Sequence, residues 1–444
     1  MFNKIRSISL NPPLVLTLGF GLIIFIGACL LSLGIFTRSG QPIGFLNALF
    51  TAASATCVTG LVVVNTLEFW NLGGQIVILI LIQIGGLGIM TLATLLPLAL
   101  RKKIGLTSRQ IIREQLNVES FSGLVKLLKY VMYFSLAVEL VGAILLATVF
   151  VPDFGLKLGL WRAVFHSISA FCNAGFDILG DSMFSYRSNI IVNLTIMALV
   201  VIGGLGFAVN AEIFSRKKRK NYSTHTKLVL LSSAVLIVLG AVMFFIIEDD
   251  NGATLADENF MTKLLASSFQ SVIARTAGFN SINLGAMRDA AAVLMIMLMF
   301  VGGSPGSTAG GLKTTTFGVL FASTFSVIRG EDSVRIFHKK VPNETVSKSL
   351  ALVMISMVVV VGFSFVLAMT EKFSYIDILF EVVSAYATVG VSRGITSSLS
   401  NVGKIIIIIT MYMGRIGPLT MAFAFGKKQK KSKIEYPDAN ISVG

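Results

Sequence analysis

The chain has 444 residues, 54% hydrophobic and only 13% charged, with a net charge of +15. A soluble domain carries about 25% charged residues, so the composition excludes an ordinary soluble protein. Charges do not partition into hydrocarbon, and their scarcity points to a chain embedded in the lipid bilayer. Three cysteines (Cys29, Cys57, Cys172) and three histidines (His166, His225, His338) form no C-x-x-C or H-E-x-x-H spacing, which leaves a zinc site or disulfide framework with little support.

In chain order, MFNKIRSISLNPP precedes an apolar run from Leu14 to Phe36. No small-residue cleavage site follows, so this reads as a retained first helix and not a signal peptide. Long apolar runs cover roughly 13–36, 72–100, 130–150, 189–211, 228–247, 290–312, 349–370 and 405–426. A span needs about 20 such residues. Between each odd run and the next even one lies a shorter apolar stretch ending in a glycine-containing loop, at 42–55, 160–172, 260–274 and 374–387. These stretches are too short to cross and are expected to be re-entrant pore helices.

Orientation follows from charge. The segments before the first run, between even and odd runs, and after the last hold 26 Lys and Arg against 8 Asp and Glu, whereas the other side holds 10 against 13. Arg101-Lys102-Lys103, the stretch 216–220 and the tail lysines 427, 428, 430, 431 and 433 mark the cytoplasmic side, and Glu248-Asp249-Asp250 lies opposite. The positive charge is thus a topology signal. It sits in short loops between spans and not in a folded basic domain, so no nucleic acid partner is expected.

The chain repeats itself at a period of roughly 110 residues. Gly60, Gly175, Gly278 and Gly390 end the segments LFTAASATCVTG, VFHSISAFCNAG, SSFQSVIARTAG and LFEVVSAYATVG. Three of the four place Phe ten residues before the glycine (Phe50, Phe165, Phe380), with Ser six and Ala five before it. The third departs, with Ser268, Val272 and Ile273. The unit is span, pore helix, loop, span, divided as 1–100, 101–220, 221–330 and 331–426, with 427–444 as a cytoplasmic tail. The expected fold is an all-α membrane protein with four tandem M1–pore helix–M2 repeats, pseudo-fourfold about one central ion pore.

Non-helical backbone at membrane depth is tolerated where it is buried in protein or lines water. Four such loops around an axis present carbonyl oxygens to a dehydrated cation, and glycine permits the torsions that aim them. A single glycine after an apolar helix reads as a C-cap; four in register read as a filter. Its candidates are Val58, Thr59 and Gly60; Asn173, Ala174 and Gly175; Thr276, Ala277 and Gly278; and Thr388, Val389 and Gly390.

A second glycine cluster follows each loop: Gly85-Gly86, Gly203-Gly204, Gly302-Gly303 and Gly414. The first two are expected to be close helix-packing sites. The third runs Gly302-Gly303-Ser304-Pro305-Gly306-Ser307-Thr308-Ala309-Gly310-Gly311-Leu312-Lys313 and cannot stay helical. It fails the spacing of a phosphate loop and reads as an unwound, cavity-lining gate. Arg415 lies inside the last span, with two readings: a structural partner for a carbonyl of the broken third repeat, or a fixed charge that sets a barrier for cations. Glu139 reads as a hydrogen-bonded carboxyl within the bundle, Arg275 as a brace of its loop, Cys57 and Cys172 as small packing residues, and His166 as a pore-helix polar contact. Paired carboxylates and a histidine cluster within the spans, which a membrane enzyme would need, are not found.

The T-C-V-T-G, C-N-A-G-F, R-T-A-G-F and A-T-V-G-V loops, the G-G-S-P-G-S-T-A-G-G-L-K-T-T-T break and the M-G-R-I-G-P-L segment resemble the Trk/Ktr/HKT superfamily of potassium transporters, and within it the KtrB-type (KtrB or KtrD) membrane subunits. The resemblance covers nearly the whole chain. It implies filter glycines at 60, 175, 278 and 390, a gating loop at 302–313 and a gate arginine at Arg415, with potassium at the filter carbonyls. Some plant members carry serine at the first filter position and favour sodium; Gly60 here points to potassium. It further implies a homodimer with one pore per protomer in the cell's plasma membrane, both termini cytoplasmic. A cytosolic octameric ring of a nucleotide-binding RCK subunit of KtrA or KtrC type would regulate it, and the nucleotide would bind that ring. Transport in the family often depends on sodium, and a sodium-coupled secondary transporter is the alternative to channel-like flow.

Overall fold

The computed structural model describes residues 12–88, 124–215 and 221–425. The basic stretches at 101–103 and 216–220, the latter part of the 72–100 run and the tail 427–444 lie outside the described residues.

One pattern of helices recurs four times. First come α1 (Pro12–Leu31), α2 (Phe45–Thr56), the single turn α3 (Thr66–Phe69) and α4 (Leu72–Leu87). Then follow α5 (Leu124–Phe154), α6 (Leu156–Phe171), α7 (Ile190–Gly204) and α8 (Phe207–Ile213). The third set is α9 (Thr224–Glu248), α10 (Phe260–Ile273), α11 (Asp289–Phe300) and α12 (Thr314–Ile328). A small hairpin, β1 (Arg335–Ile336) with β2 (Lys339–Lys340), precedes α13 (Asn343–Thr370), α14 (Tyr375–Tyr386), α15 (Asn401–Ile416) and α16 (Pro418–Phe425). Side-chain caps define where many of these begin: Asn71, Asn189 and Ser400 accept from the first-turn N–H groups of α4, α7 and α15, and Asn259 and Ser374 do the same for α10 and α14.

The first helix of each set is long and apolar enough to cross a membrane. Leu350, Met354, Val358, Val361, Phe365 and Met369 of α13 are exposed at helical spacing, as are Leu18, Leu22 and Phe25 of α1. Such stripes suit a hydrocarbon solvent. In the second and fourth sets the second long helix departs from the sequence expectation of an unbroken span, while in the third the expected break is present. It bends by 107° between α7 and α8, opens through 301–313 and breaks at Gly417 (φ 89°), and in the first set α4 ends at Gly88 (φ 84°), the last described residue there. The glycine clusters at 85–88 and 203–206 therefore both pack and end a helix. A Cβ at Gly85 would strike the Thr56 carbonyl oxygen, one at Gly203 the Phe171 oxygen, and one at Gly414 the Tyr386 oxygen. Each is the carbonyl that ends the pore helix of the same set, so the helix that follows is pressed against the base of its own loop.

The short helices α2, α6, α10 and α14 form the centre. Phe50, Phe165, Phe269 and Phe380 are fully buried within them. Each packs on the second long helix of the preceding set: α6 on α4, α10 on α7, α14 on α11, and α2 on α15. The last pair closes a ring. Lys404 Nζ donates to Asn47 Oδ1 (3.0 Å) across that closure, and Trp161 Nε1 donates to Gln75 Oε1 (2.8 Å) at the α6–α4 joint.

Candidate functional site

The loops after the four short helices share one backbone. Val58, Asn173, Thr276 and Thr388 all have positive φ (57°, 59°, 76° and 53°), and so do Gly60, Gly175, Gly278 and Gly390 (97°, 67°, 74° and 88°). Left-handed geometry at non-glycine residues is strained and persists where surroundings impose it. The same bonds impose it in three sets: the N–H of Thr59, Ala174 and Val389 donates to the carbonyl of Ser54 (2.8 Å), Ser169 (2.7 Å) and Ser384 (2.8 Å). Those serines also brace the loop through their hydroxyls. Ser54 Oγ accepts from Gly60 N–H (3.0 Å), Ser384 Oγ accepts from Gly390 N–H (3.1 Å), and Ser169 Oγ donates to the Phe176 carbonyl (2.8 Å).

The third loop is built differently, as its sequence foretells. Val272 stands where the others have serine, and Ala277 N–H turns to Ile273 (3.1 Å). Arg275 replaces the small Cys57, Cys172 and Ala387. Its side chain is buried away from the other loops and donates to Ser233 Oγ of α9 (3.2 Å).

The four glycines meet at the axis. A Cβ on Gly60 would strike the Ala174 oxygen; on Gly175 it would come within 2.8 Å of the Ala277 oxygen; on Gly278, within 2.9 Å of the Val389 oxygen; and on Gly390 it would strike the Thr59 oxygen. Each glycine thus faces the preceding residue's carbonyl from the next set, in the order one, two, three, four and back to one. A Cβ on Gly278 would also reach within 3.4 Å of the Thr59 oxygen, from the set opposite, so the ring is narrow. Four carbonyl oxygens converge there with no room for a side chain, a setting suited to a dehydrated cation. On one side the ring opens into a cavity of about 230 Å3 lined by the four glycines, Asp177, Asn280, Ser392 and Thr396. Asp177 supplies the one carboxylate among these lining residues. The sequence reading passed over it; its position two residues past Gly175 was the available signal.

On the other side lies the broken stretch 301–313. Several of its backbone groups find partners within the protein, as non-helical backbone at membrane depth requires. Ser304 N–H donates to Gly204 O (3.0 Å), Thr308 N–H to Gly203 O (3.2 Å), Phe207 N–H to Gly306 O (2.9 Å) and Thr314 N–H to Gly303 O (3.1 Å). Ser304 and Thr314 share a hydroxyl bond (3.0 Å), Ser307 Oγ donates to Ser304 O (2.7 Å), and Lys313 Nζ donates to Ala309 O (3.0 Å). Gly302 packs on Gly310, Gly303 on Ala309, Gly206 on the Pro305 oxygen, Gly310 on the Thr388 side chain and Gly311 on Ala387.

Arg415 ties the sets together. Its Nη1 donates to Thr308 O and its Nη2 to Gly85 O, with Gly86 O further off (3.4 Å). Thr308 belongs to the third set and Gly85 to the first, which face each other across the ring. One guanidinium spans that gap. A carbonyl partner of the broken repeat is therefore present for Arg415. Other residues keep their expected structural roles. Glu139 accepts from Gln83 Nε2 (3.0 Å), Cys172 and Cys57 are buried packing groups, and His166 Nε2 accepts from Ile178 N–H (3.3 Å).

A sequence model for the family described as "TrkH: Cation transport protein" matches residues 20–435. The chain belongs to this cation transport family. It is 43% identical to Ktr system potassium uptake protein B of Bacillus subtilis, over 99% of this chain and 98% of that one. It is 40% identical to the potassium/sodium uptake protein NtpJ of Enterococcus hirae, over 100% and 99% respectively. The crystal structure of the potassium transporter TrkH from Vibrio parahaemolyticus superposes with a TM-score of 0.75 at 19% identity, covering 95% of this chain and 86% of that one, and so shares the fold.

Proposed function

We infer that this chain takes up potassium across the cell membrane through a gated filter. The observation that carries this reading is the closed ring of four loops with one backbone, whose glycines and carbonyls converge at the axis. In it the carbonyls of 58–60, 173–175, 276–278 and 388–390 replace the ion's hydration shell. Asp177 gathers cations at the outer mouth. The stretch 302–313 and Arg415 close the inner side.

The chain acts as the translocating subunit of a Ktr-type system, a reading supported by the full-length relatives named for such systems. It works as a homodimer in the plasma membrane with both termini cytoplasmic, and a cytosolic nucleotide-binding RCK ring of KtrA or KtrC type releases the gate. The name of the Enterococcus relative favours a second reading, in which sodium moves or activates with potassium.

The test is Gly60→Ser, which adds a side chain where the Ala174 oxygen stands. Potassium and sodium uptake are compared in cells deprived of other potassium uptake. The parent should restore growth at low potassium and the variant should lose its preference for potassium over sodium. An unchanged preference in a membrane-inserted variant refutes the filter assignment.

A further inference from the structure

Resting on the filter and gate readings above, we propose that Asn173 and Thr308 link the gate to the filter, so that the position of the loop sets the selectivity of the ring. The first loop residue is Val58, Thr276 and Thr388 in three sets, but Asn173 in the second. A carboxamide donates and accepts through two separate atoms, whereas the hydroxyls of Thr276 and Thr388 use a single oxygen for both. Both capacities are used. Asn173 Nδ2 donates to Thr276 Oγ1 (3.2 Å), which joins the second loop to the third at the base of the ring. Asn173 Oδ1 accepts from Thr308 Oγ1 (3.1 Å), in the middle of the broken stretch. The hydroxyl's single proton is shared with the Phe171 carbonyl that ends the second pore helix, also at 3.1 Å.

Thr308 is also where the gate is fastened. Its N–H donates to Gly203 O (3.2 Å), and its carbonyl accepts from Arg415 Nη1. A continuous chain therefore runs from Arg415 through Thr308 and Asn173 to Thr276. All three uncharged members are fully buried or nearly so. The close fit leaves no slack, because a Cβ at Gly203 would come within 2.8 Å of Asn173 Oδ1 and 2.9 Å of Thr308 Oγ1.

Two consequences follow when the loop withdraws. Thr308 leaves Asn173, and a buried amide oxygen loses its donor beside the ring. That cost must be met by the carboxamide turning toward the path or by a cation or water replacing the hydroxyl. The base of the ring thus differs between the loop-in and loop-out states, and Thr276 is disturbed with it. Conversely, a cation that engages Asn173 Oδ1 competes with Thr308 and favours release of the loop. Gate and filter act as one bistable element.

Thr308→Val decides the matter, since it keeps the shape of the loop, removes the hydroxyl and substitutes no filter residue. Rubidium flux and rubidium-to-sodium preference are measured in proteoliposomes without other proteins. The set comprises the parent, Thr308→Val, Thr308→Ser, Asn173→Val, the Asn173→Val/Thr308→Val double variant and a chain shortened within 302–313. Loss of the link should raise basal flux roughly fivefold, the equilibrium weight of one hydrogen bond. It should also shift the cation preference of Thr308→Val, with Thr308→Ser behaving as the parent. The double variant should fall short of the product of the two single effects, because both substitutions remove the Asn173–Thr308 bond. The proposal is overturned if Thr308→Val leaves preference unchanged, whatever its flux, or if the two single effects multiply. Should Asn173→Val fail to insert, the valine and serine variants of Thr308 still decide. If the shortened chain conducts faster than the parent while Thr308→Val is silent, the link alone falls. If the shortened chain conducts no faster, the gate reading falls with it.

Discussion

Replacing Arg415 by alanine tests whether the guanidinium holds the inner side of the path shut. Two short donors are lost, to Thr308 O and to Gly85 O, together with a longer one to Gly86 O. A hydrogen bond to a charged group contributes about 1.5–3 kcal/mol net. At the lower figure, if one of these two bonds exists only in the closed state, its loss shifts the closed-to-open ratio about tenfold. If both do, the shift reaches about 150-fold, since 1.4 kcal/mol is a factor of ten. The remaining bonds of Ser304, Thr308 and Phe207 to and from the broken stretch keep the loop folded in the variant. A parent closed 99% of the time would then rise to about one-tenth open in the first case and more than half open in the second. The assay is rubidium uptake per protomer in proteoliposomes of the chain alone. Arg415→Gln separates the two roles of the side chain, because it removes the charge but keeps amide donors. If anchoring dominates, glutamine should conduct between parent and alanine. If the charge is the barrier, glutamine and alanine should conduct alike. A monodisperse Arg415→Ala chain that conducts no faster than the parent refutes the reasoning.

Gly390→Ala should abolish potassium uptake while leaving the protein inserted, because a Cβ there meets the Thr59 oxygen and the residue has φ 88°; growth at low potassium and membrane yield check both halves. Single cysteines at 248–258 should react with an impermeant reagent from outside, and those at 216–220 only from inside; external labelling of 216–220 would overturn the orientation. Ser356→Ala removes the 2.6 Å partner of the buried Tyr386 hydroxyl beneath the fourth loop. It should cost about 1 kcal/mol and lower the thermal midpoint by a few degrees at most, and an unchanged midpoint would refute that estimate.

Much of the molecule was legible before any coordinate. Apolar runs marked helices, their lengths separated long ones from re-entrant ones, and Gly60, Gly175, Gly278 and Gly390 in register announced four like loops. These features are local: periodicity, run length and tolerance of positive φ are written residue by residue. The departure of the third loop was visible too, in Val272 and Arg275. What the sequence did not reveal was closure. That α2 packs on α15, that each glycine faces its neighbour's carbonyl, and that Arg415 reaches both Thr308 and Gly85 are contacts between residues a hundred or more apart in the chain. Nor did the glycines at 85–88 and 203–206 declare both their roles, since a close approach and a helix end call for the same residue. Asn173 read as one more backbone carbonyl, although its side chain holds the centre of a hydrogen-bond chain. Such pairings depend on which buried donor ends opposite which acceptor. Only the folded ring decides that, because each unmet polar group at membrane depth must find its partner in another part of the chain.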